Sequence, residues 1–425
     1  MTKHVVVVGC GIIGACTAVE LVSRGHSVTM IDPHNPGSPN AASYGNGSWI
    51  SPASIIPMSM PGLWRKVPGF LMDSRGPLVI RWRHLPGLTP WLLRFLNAGL
   101  TQPRVERTVG QLAALLDGAP RRHLDYARMI GAPDLVVQKG VIYAYPDCAM
   151  MAGDQLAWNL RREHGVDFEI VEGDRLRSLA PDLSPRYTVA YFVPGAAHSP
   201  DTGAYVSAIA AHACAIGAVF RKDQVQGFEF SGDRLKAVRL PGETIACDAT
   251  VIAAGAWSRH LAAKAGDRVP MVSERGYNVT IRDSPVMPDI SIMPCDGRMA
   301  NTPTGDGLRC SGQVELASLD APPDWRRAQI LIDHANNTYP ALAEARLEHT
   351  RWMGHRPSTP DGLPVIGAST RSADVIHAFG HGHMGLCAGP ATADLVASLV
   401  DGARPAIDIS AFDAKRFRLW RKNSP

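Results

Sequence analysis

An apolar run, Val5-Val6-Val7-Val8, leads into Gly9-Cys10-Gly11-Ile12-Ile13-Gly14, and a second apolar stretch, Ser27-Val28-Thr29-Met30-Ile31, ends on Asp32. This order of strand, glycine turn, helix and strand constrains the chain more than any other feature, because it builds a cradle for a dinucleotide. The first glycine allows the tight turn, the second lets a pyrophosphate approach the backbone, and the third lets the helix pack on the sheet. The helix N-terminus adds unpaired N–H groups and a positive dipole end. Asp32, about 18 residues after Gly14, stands where a carboxylate accepts ribose hydroxyls. Ala15, Ala18, Val19, Leu21 and Val22 supply the apolar helix face, and Arg24-Gly25-His26 ends it. Lys3 and His4 before an apolar run also fit a secretory signal peptide, but three glycines interrupt that run and Glu20 and Arg24 follow, so the cradle is preferred.

A chain of 425 residues suggests two domains, enough to enclose a ligand between them. Its formal charge of +4 makes no electrostatic demand for nucleic acid. The eight cysteines, at 10, 16, 148, 214, 247, 295, 310 and 387, form no CxxC and no zinc spacing, so no metal site is expected and reduced cytosolic thiols are the default. No stretch holds eighteen uninterrupted apolar residues, which argues against a spanning helix. Between Gly62 and Leu100, however, Trp64, Trp82 and Trp91 lie among Arg65, Lys66, Arg75, Arg81, Arg83 and Arg94 against one acid, Asp73. Two readings stand: a proline-broken helical excursion over the site, which is preferred, and peripheral contact with the inner face of a membrane.

Periodicity predicts a helix over 111–130 with a kink or break at Pro120, a strand over 139–145, and a helix from Asp201 to Gly217 capped by Asp201 or Thr202. Strands are expected over 218–221, 247–254, 269–282, 308–314 and 374–379, and a last helix from Pro390 to Val400 stopped by Gly402. The nucleotide-binding pieces fall at the start, middle and end of the chain, so a second domain is inserted between them.

Four further stretches are specific: Ala41-Ala42-Ser43-Tyr44-Gly45-Asn46-Gly47-Ser48, Ala253-Ala254-Gly255-Ala256-Trp257-Ser258, the run from Arg356-Pro357-Ser358-Thr359-Pro360-Asp361 to Gly367, and Gly380-His381-Gly382-His383-Met384-Gly385. With them the chain resembles the FAD-dependent amino-acid oxidoreductases of the DAO type, most of all their D-amino-acid dehydrogenase branch, with glycine and sarcosine oxidases as relatives. The resemblance spans nearly the whole chain and is weakest from Pro61 to about Leu183. It implies an α/β protein, with a Rossmann-like FAD-binding domain assembled from 1–75, 186–260 and 345–425 and an α+β substrate domain with a mainly antiparallel sheet from 76–185 and 261–344.

The cofactor contacts that the resemblance implies are Gly9, Gly11, Ile12, Ile13, Gly14, Asp32, Pro33, Ala42, Ser43, Asn46, Gly47, Ser48, Val225, Ala254, Gly255, Trp257, Gly382, His383, Met384, Gly385 and Leu386. Small residues at Gly45, Gly47, Gly255, Gly382 and Gly385 admit a flat ring and a diphosphate. The Gly382–Gly385 loop is the expected donor to charge on the reduced ring, since a helix start offers free N–H groups. Relatives with covalent flavin carry a cysteine where this chain has Gly354, so noncovalent FAD is implied. Arg356 aligns with the substrate arginine of the glycine-oxidase relatives, and its fork suits a carboxylate. Tyr277 is expected to donate to the same carboxylate, and His383 to stand as a second anchor with His381 before it.

The resemblance implies oxidative deamination of a small amino or imino acid, of the D-amino-acid or D-proline/hydroxyproline type, by hydride transfer from Cα to flavin N5, with a quinone or another acceptor taking the electrons. The alternatives are an oxygen-using amine oxidase of the glycine/sarcosine type and a flavin-binding subunit of a larger dehydrogenase. The expected location is cytoplasmic.

Overall fold

The computed structural model describes residues 2–65, 76, 78–81, 84–343 and 348–418. Its first sheet runs in the order Val365–Ala368, Val375–Phe379, Ala249–Ile252, His4–Val8, Ser27–Asp32 and Val219–Lys222. All pairs are parallel except the edge pair of Val365–Ala368 with Val375–Phe379. His4–Val8 is central, with Val6 opposite Thr250 on one side and Thr29 on the other. Val5 and Val7 face one core while Val6 and Val8 face another. Burial on both faces explains why this strand reads as an unbroken apolar run.

Helices Ile12–Ser23, Thr202–Ala215 and Gly385–Asp401 cover the Val5–Val7 face. Asp201 caps the second of these by accepting the Ala204 N–H at 2.9 Å. The first and last lie so close that a Cβ on Gly389 would stand 2.9 Å from Ile12 Cγ1. On the other face sit helix Ser258–Lys264 and a small antiparallel sheet of Gly227–Ser231, Arg234–Leu240 and Glu243–Ala246.

The second sheet runs in the order His349–Ser358, Val272–Ile281, Gly307–Leu316, Ala300–Thr304, Ser291–Pro294, Val141–Tyr145, Val189–Val193 and Glu169–Glu172, with Leu78–Ile80 beside Gly307–Leu316. It is mainly antiparallel; the parallel pairs are Ser291–Pro294 with Val141–Tyr145, and Leu78–Ile80 with Gly307–Leu316. Val189–Val193 and His349–Ser358, expected in the nucleotide half, are strands of this second sheet.

The helix expected over 111–130 is two helices, Gln102–Leu116 and Ala119–Met129. The break comes before Pro120, at Gly118, whose φ of 62° no continuing helix accepts. The last helix begins at Gly385, five residues ahead of Pro390, and ends as expected at Gly402. Of the tryptophan and arginine segment, Trp91 is buried, stacks on Phe95 at 5.0 Å and donates from Nε1 to the Ser358 carbonyl at 3.2 Å. Trp64 is exposed beside Arg65, while Lys66, Asp73, Arg75, Trp82 and Arg83 lie outside the described residues. Among the described residues no helix is long and apolar enough to cross a membrane.

Candidate active site

Strands His4–Val8, Ala249–Ile252 and Val375–Phe379 end at one edge of the first sheet and run into Gly9, Ala253-Ala254-Gly255 and Gly380. Ligand crevices of open parallel sheets lie outside such carboxyl ends. Here a cavity of about 1870 Å³ starts at that edge and continues over the second sheet. Ordinary small-molecule pockets measure roughly 300–1,000 Å³, so this one has room for a dinucleotide and a further small ligand.

At the first-sheet end, Gly9 has φ 97°, and a Cβ on it would meet the Ala253 carbonyl oxygen at 2.6 Å. A Cβ on Gly14 would stand 1.8 Å from the Gly9 carbonyl oxygen. Gly11 differs: the nearest protein atom to its Cβ position is Ser43 Oγ at 3.4 Å. The first and third glycines thus close protein against protein, whereas the second keeps the cavity wall clear. Ser43 Oγ accepts the Ile12 N–H at 3.1 Å. The Asp32 carboxylate accepts the N–H groups of Cys10 and His34, both at 2.8 Å. Burial raises its pKa and these two bonds oppose the rise; Asp32 lines the cavity, and its carboxylate can accept further hydrogen bonds there.

The loop 41–48 is held from the second sheet. Asn278 Nδ2 donates to the Gly45 carbonyl and Thr302 Oγ1 to the Gly47 carbonyl, both at 2.8 Å. Buried Arg309 reaches Ser48 Oγ at 3.2 Å. Asn46 Oδ1 accepts the Ser48 N–H at 2.6 Å. Trp352 lies between Gly45 and Gly354: a Cβ on either would meet its ring at 2.2 or 2.0 Å. The small residue at Gly45 is therefore required by this indole, not only by a ligand.

Arg356 stands beside Glu274 across the strand pair, with Nη1 donating to Glu274 Oε1 and to the Gln313 carbonyl, each at 3.2 Å. Glu274 Oε2 accepts from Ser358 Oγ at 2.8 Å. The Arg356 guanidinium lies over Gly276, where a Cβ would approach within 2.3 Å of Nη2. The Gln313 carbonyl reaches Arg356 because the strand bulges there. Gln313 has φ 59°, and the register shifts between Arg275 and Tyr277 on the partner strand. Its side chain accepts from Arg327 Nη1 at 3.0 Å, which holds this uncommon conformation. His383 is kept mainly neutral: burial lowers its pKa, Glu274 opposes and Arg356 adds to the fall. Arg161 lines another lobe, its guanidinium 4.3 Å from the Trp158 ring centroid, with Nε donating to the Ala53 carbonyl at 2.9 Å.

The residues expected to bind cofactor line this cavity, with the exceptions of Gly14, which is spent on packing, and Met384, which is buried behind the loop. Arg356 and His383 also line it. Tyr277 does not, and its expected role is corrected. Its phenol donates to Glu315 Oε2 at 2.6 Å and accepts the Asp324 N–H at 2.9 Å. Along Val272–Ile281, Glu274 and Gly276 face the cavity, so Tyr277 points to the opposite face, into the core with Val279 and Ile281. Glu274, Asn278, Arg309, Gln313, Trp352 and Arg161 were not foreseen; the alternation 274, 276, 278 was the available signal for two of them.

His381 is buried at the cavity wall, with Nε2 3.0 Å from Thr392 Oγ1. Burial pushes its pKa down to about 3, and those of His123 and His198 to about 4. An unfolded histidine takes a proton near pH 6.5, whereas these folded rings stay neutral, so below that pH the unfolded chain binds more protons. Stability is expected to fall as pH drops from about 6.5 towards 4, by roughly 1.4 kcal/mol per pH unit for each ring. Calorimetry at pH 7 and pH 5 checks this through the midpoint and the protons taken up on unfolding, about three at pH 5. An equal midpoint at both values refutes it.

The sequence profile described as DAO, FAD dependent oxidoreductase, matches residues 4–399. A "D-amino-acid oxidase" of Bradyrhizobium diazoefficiens is 45% identical over 419 residues, covering 98% of this chain and 99% of that protein. A "D-amino acid dehydrogenase" of Paramagnetospirillum magneticum is 30% identical over 431 residues, covering 98% and 100%. The crystal structure of glycine oxidase from Geobacillus kaustophilus superposes with a TM-score of 0.73 at 21% identity, covering 98% of this chain and 100% of that one, a likeness of fold. With a glycine turn, the Asp32 carboxylate and a second helix start on one cavity, and with the family profile matching nearly the whole chain, the chain belongs to the FAD dependent oxidoreductase family.

Proposed function

We propose that this chain oxidises the Cα–N bond of a small amino or imino acid, a D-amino acid or a proline-like ring, and that Arg356 takes the substrate carboxylate. The observation that carries the reading is the Arg356 guanidinium, fixed on the cavity wall over Gly276 and facing the same space as Gly382, His383 and Gly385. The names of the two relatives, a D-amino-acid oxidase and a D-amino acid dehydrogenase, support the substrate class. Bound FAD supplies the two-electron acceptor. Gly9, Gly11, Ile12 and Asp32 hold its dinucleotide end and Gly45–Gly47 with Gly382–Leu386 its ring. Neutral His383 leaves Arg356 as the cation that orients the substrate and brings its Cα–H within near-attack distance. Glu274 holds the arginine in place between substrates.

Electron transfer to a quinone or another organic acceptor accords with the dehydrogenase relative, and use of oxygen with the 45% identical oxidase. One anaerobic experiment tests both. The purified chain, yellow with FAD that acid precipitation releases into the supernatant, should bleach with members of a D-amino-acid and hydroxyproline panel. Recovery of colour on admitting air assigns oxygen; recovery only with quinone dyes assigns the dehydrogenase. A flavin that no panel member bleaches refutes the reading and leaves a binding subunit.

A further inference from the structure

Helix Gly385–Asp401 carries a proline in its second turn. Pro390 has no N–H, so it leaves the carbonyl four residues back, that of Leu386, without its intrahelical donor. The missing bond is replaced from another helix. His123, fully buried on Ala119–Met129, places Nε2 2.8 Å from the Leu386 carbonyl oxygen. A carbonyl only accepts, so Nε2 carries the hydrogen and Nδ1 of the neutral ring accepts. Its partner is the buried Tyr205 hydroxyl on Thr202–Ala215, at 2.9 Å. Burial lowers the His123 pKa to about 4, which keeps the ring neutral through the neutral range, and the Leu386 carbonyl fixes which nitrogen carries the hydrogen.

The pinned carbonyl belongs to the planar peptide that also carries the Cys387 N–H. Gly385, Leu386 and Cys387 line the cavity, and first-turn N–H groups have no intrahelical acceptor. Fixing this peptide plane fixes the direction of a donor at the positive end of the helix dipole. We propose that His123, locked by Tyr205, is a positioning residue that substitutes for the hydrogen bond Pro390 cannot make, and thereby holds the N–H groups that stabilise negative charge on the reduced FAD ring. The proposal rests on the reading that this helix start faces the ring.

The test is the midpoint potential and visible spectrum of the FAD holoprotein in His123→Leu, His123→Gln, Pro390→Ala and the His123→Leu/Pro390→Ala double variant. His123→Leu should weaken binding of reduced relative to oxidised FAD about tenfold, which lowers the two-electron potential by about 30 mV. His123→Gln keeps an N–H donor in reach and should stay near wild type. Pro390→Ala restores the intrahelical N–H, so the double variant should recover most of the shift, and should retain FAD even where His123→Leu alone loses it. A lowered thermal midpoint with unchanged potential overturns the proposal, as does an equal shift, or an equal loss of FAD, in the Pro390→Ala background. A wild-type chain that binds no flavin overturns the cofactor reading itself.

Discussion

Gly14→Ala is expected to yield a chain purified with less than about a tenth of the wild-type flavin absorbance. The added carbon would lie 1.8 Å from the Gly9 carbonyl oxygen and 3.4 Å from Val7 Cγ1. Gly9 has no room to retreat: at φ 97° it is itself pressed on Ala253, whose carbonyl oxygen lies 2.6 Å from its Cβ position. Helix Ile12–Ser23 must therefore move away from the central strand. That movement carries off the helix start facing the cavity and loosens Ile12 from Gly389 of the last helix. Overpacking of this kind costs about 1–3 kcal/mol or more, and the stabilisation contributed by bound cofactor goes with it. Gly25→Ala is the control. Gly25 also has positive φ, 85°, but is exposed with nothing within 4 Å of its Cβ position, so only about 1–2 kcal/mol of backbone strain is expected with flavin content unchanged. Absorbance ratios at the flavin band and at 280 nm, about equal in wild type and Gly14→Ala, would refute the wedge.

The contrast between these glycines shows where the sequence was legible. The cradle could be read because its parts are local: a strand buried on both faces, a turn with fixed spacing and a helix with one apolar face. Pro390 looks like a helix start in sequence, since proline favours the first turn; the donor that lets it sit in the second turn comes from His123, far away in the chain. Tyr277 was misplaced for a related reason. Asn278 and Thr280 alternate with Tyr277, Val279 and Ile281, but burial of Val272–Ile281 on both faces leaves open from sequence which of the two sets meets the cavity. The pairing of Glu274 with Arg356, and the bulge that turns the Gln313 carbonyl toward it, depend on register between distant strands.

That pairing decides what Arg356→Leu should do. Among the described residues both Arg356 bonds leave from Nη1, to Glu274 and to the Gln313 carbonyl, so Nη2 and Nε remain as a fork for a carboxylate. The side chain is already oriented by Gly276, the bulge and Glu274, which removes most of the ordering cost on binding. Losing a bidentate charged anchor is expected to raise KM roughly two to three orders of magnitude, about 3–4 kcal/mol, with a smaller change in kcat. Leucine also leaves Glu274 buried without its cation, a penalty on folding rather than on binding. Two companions separate these effects. Glu274→Gln with Arg356→Leu should recover thermal stability without recovering KM, since no cation returns. Arg356→Lys keeps the charge but not the fork and should fall between, with KM raised about tenfold. A KM within threefold of wild type in a flavin-loaded Arg356→Leu enzyme would remove Arg356 from the substrate site. The carboxylate would then fall to another cation of the cavity, and Arg161, held 4.3 Å from the Trp158 ring centroid, is the first to test.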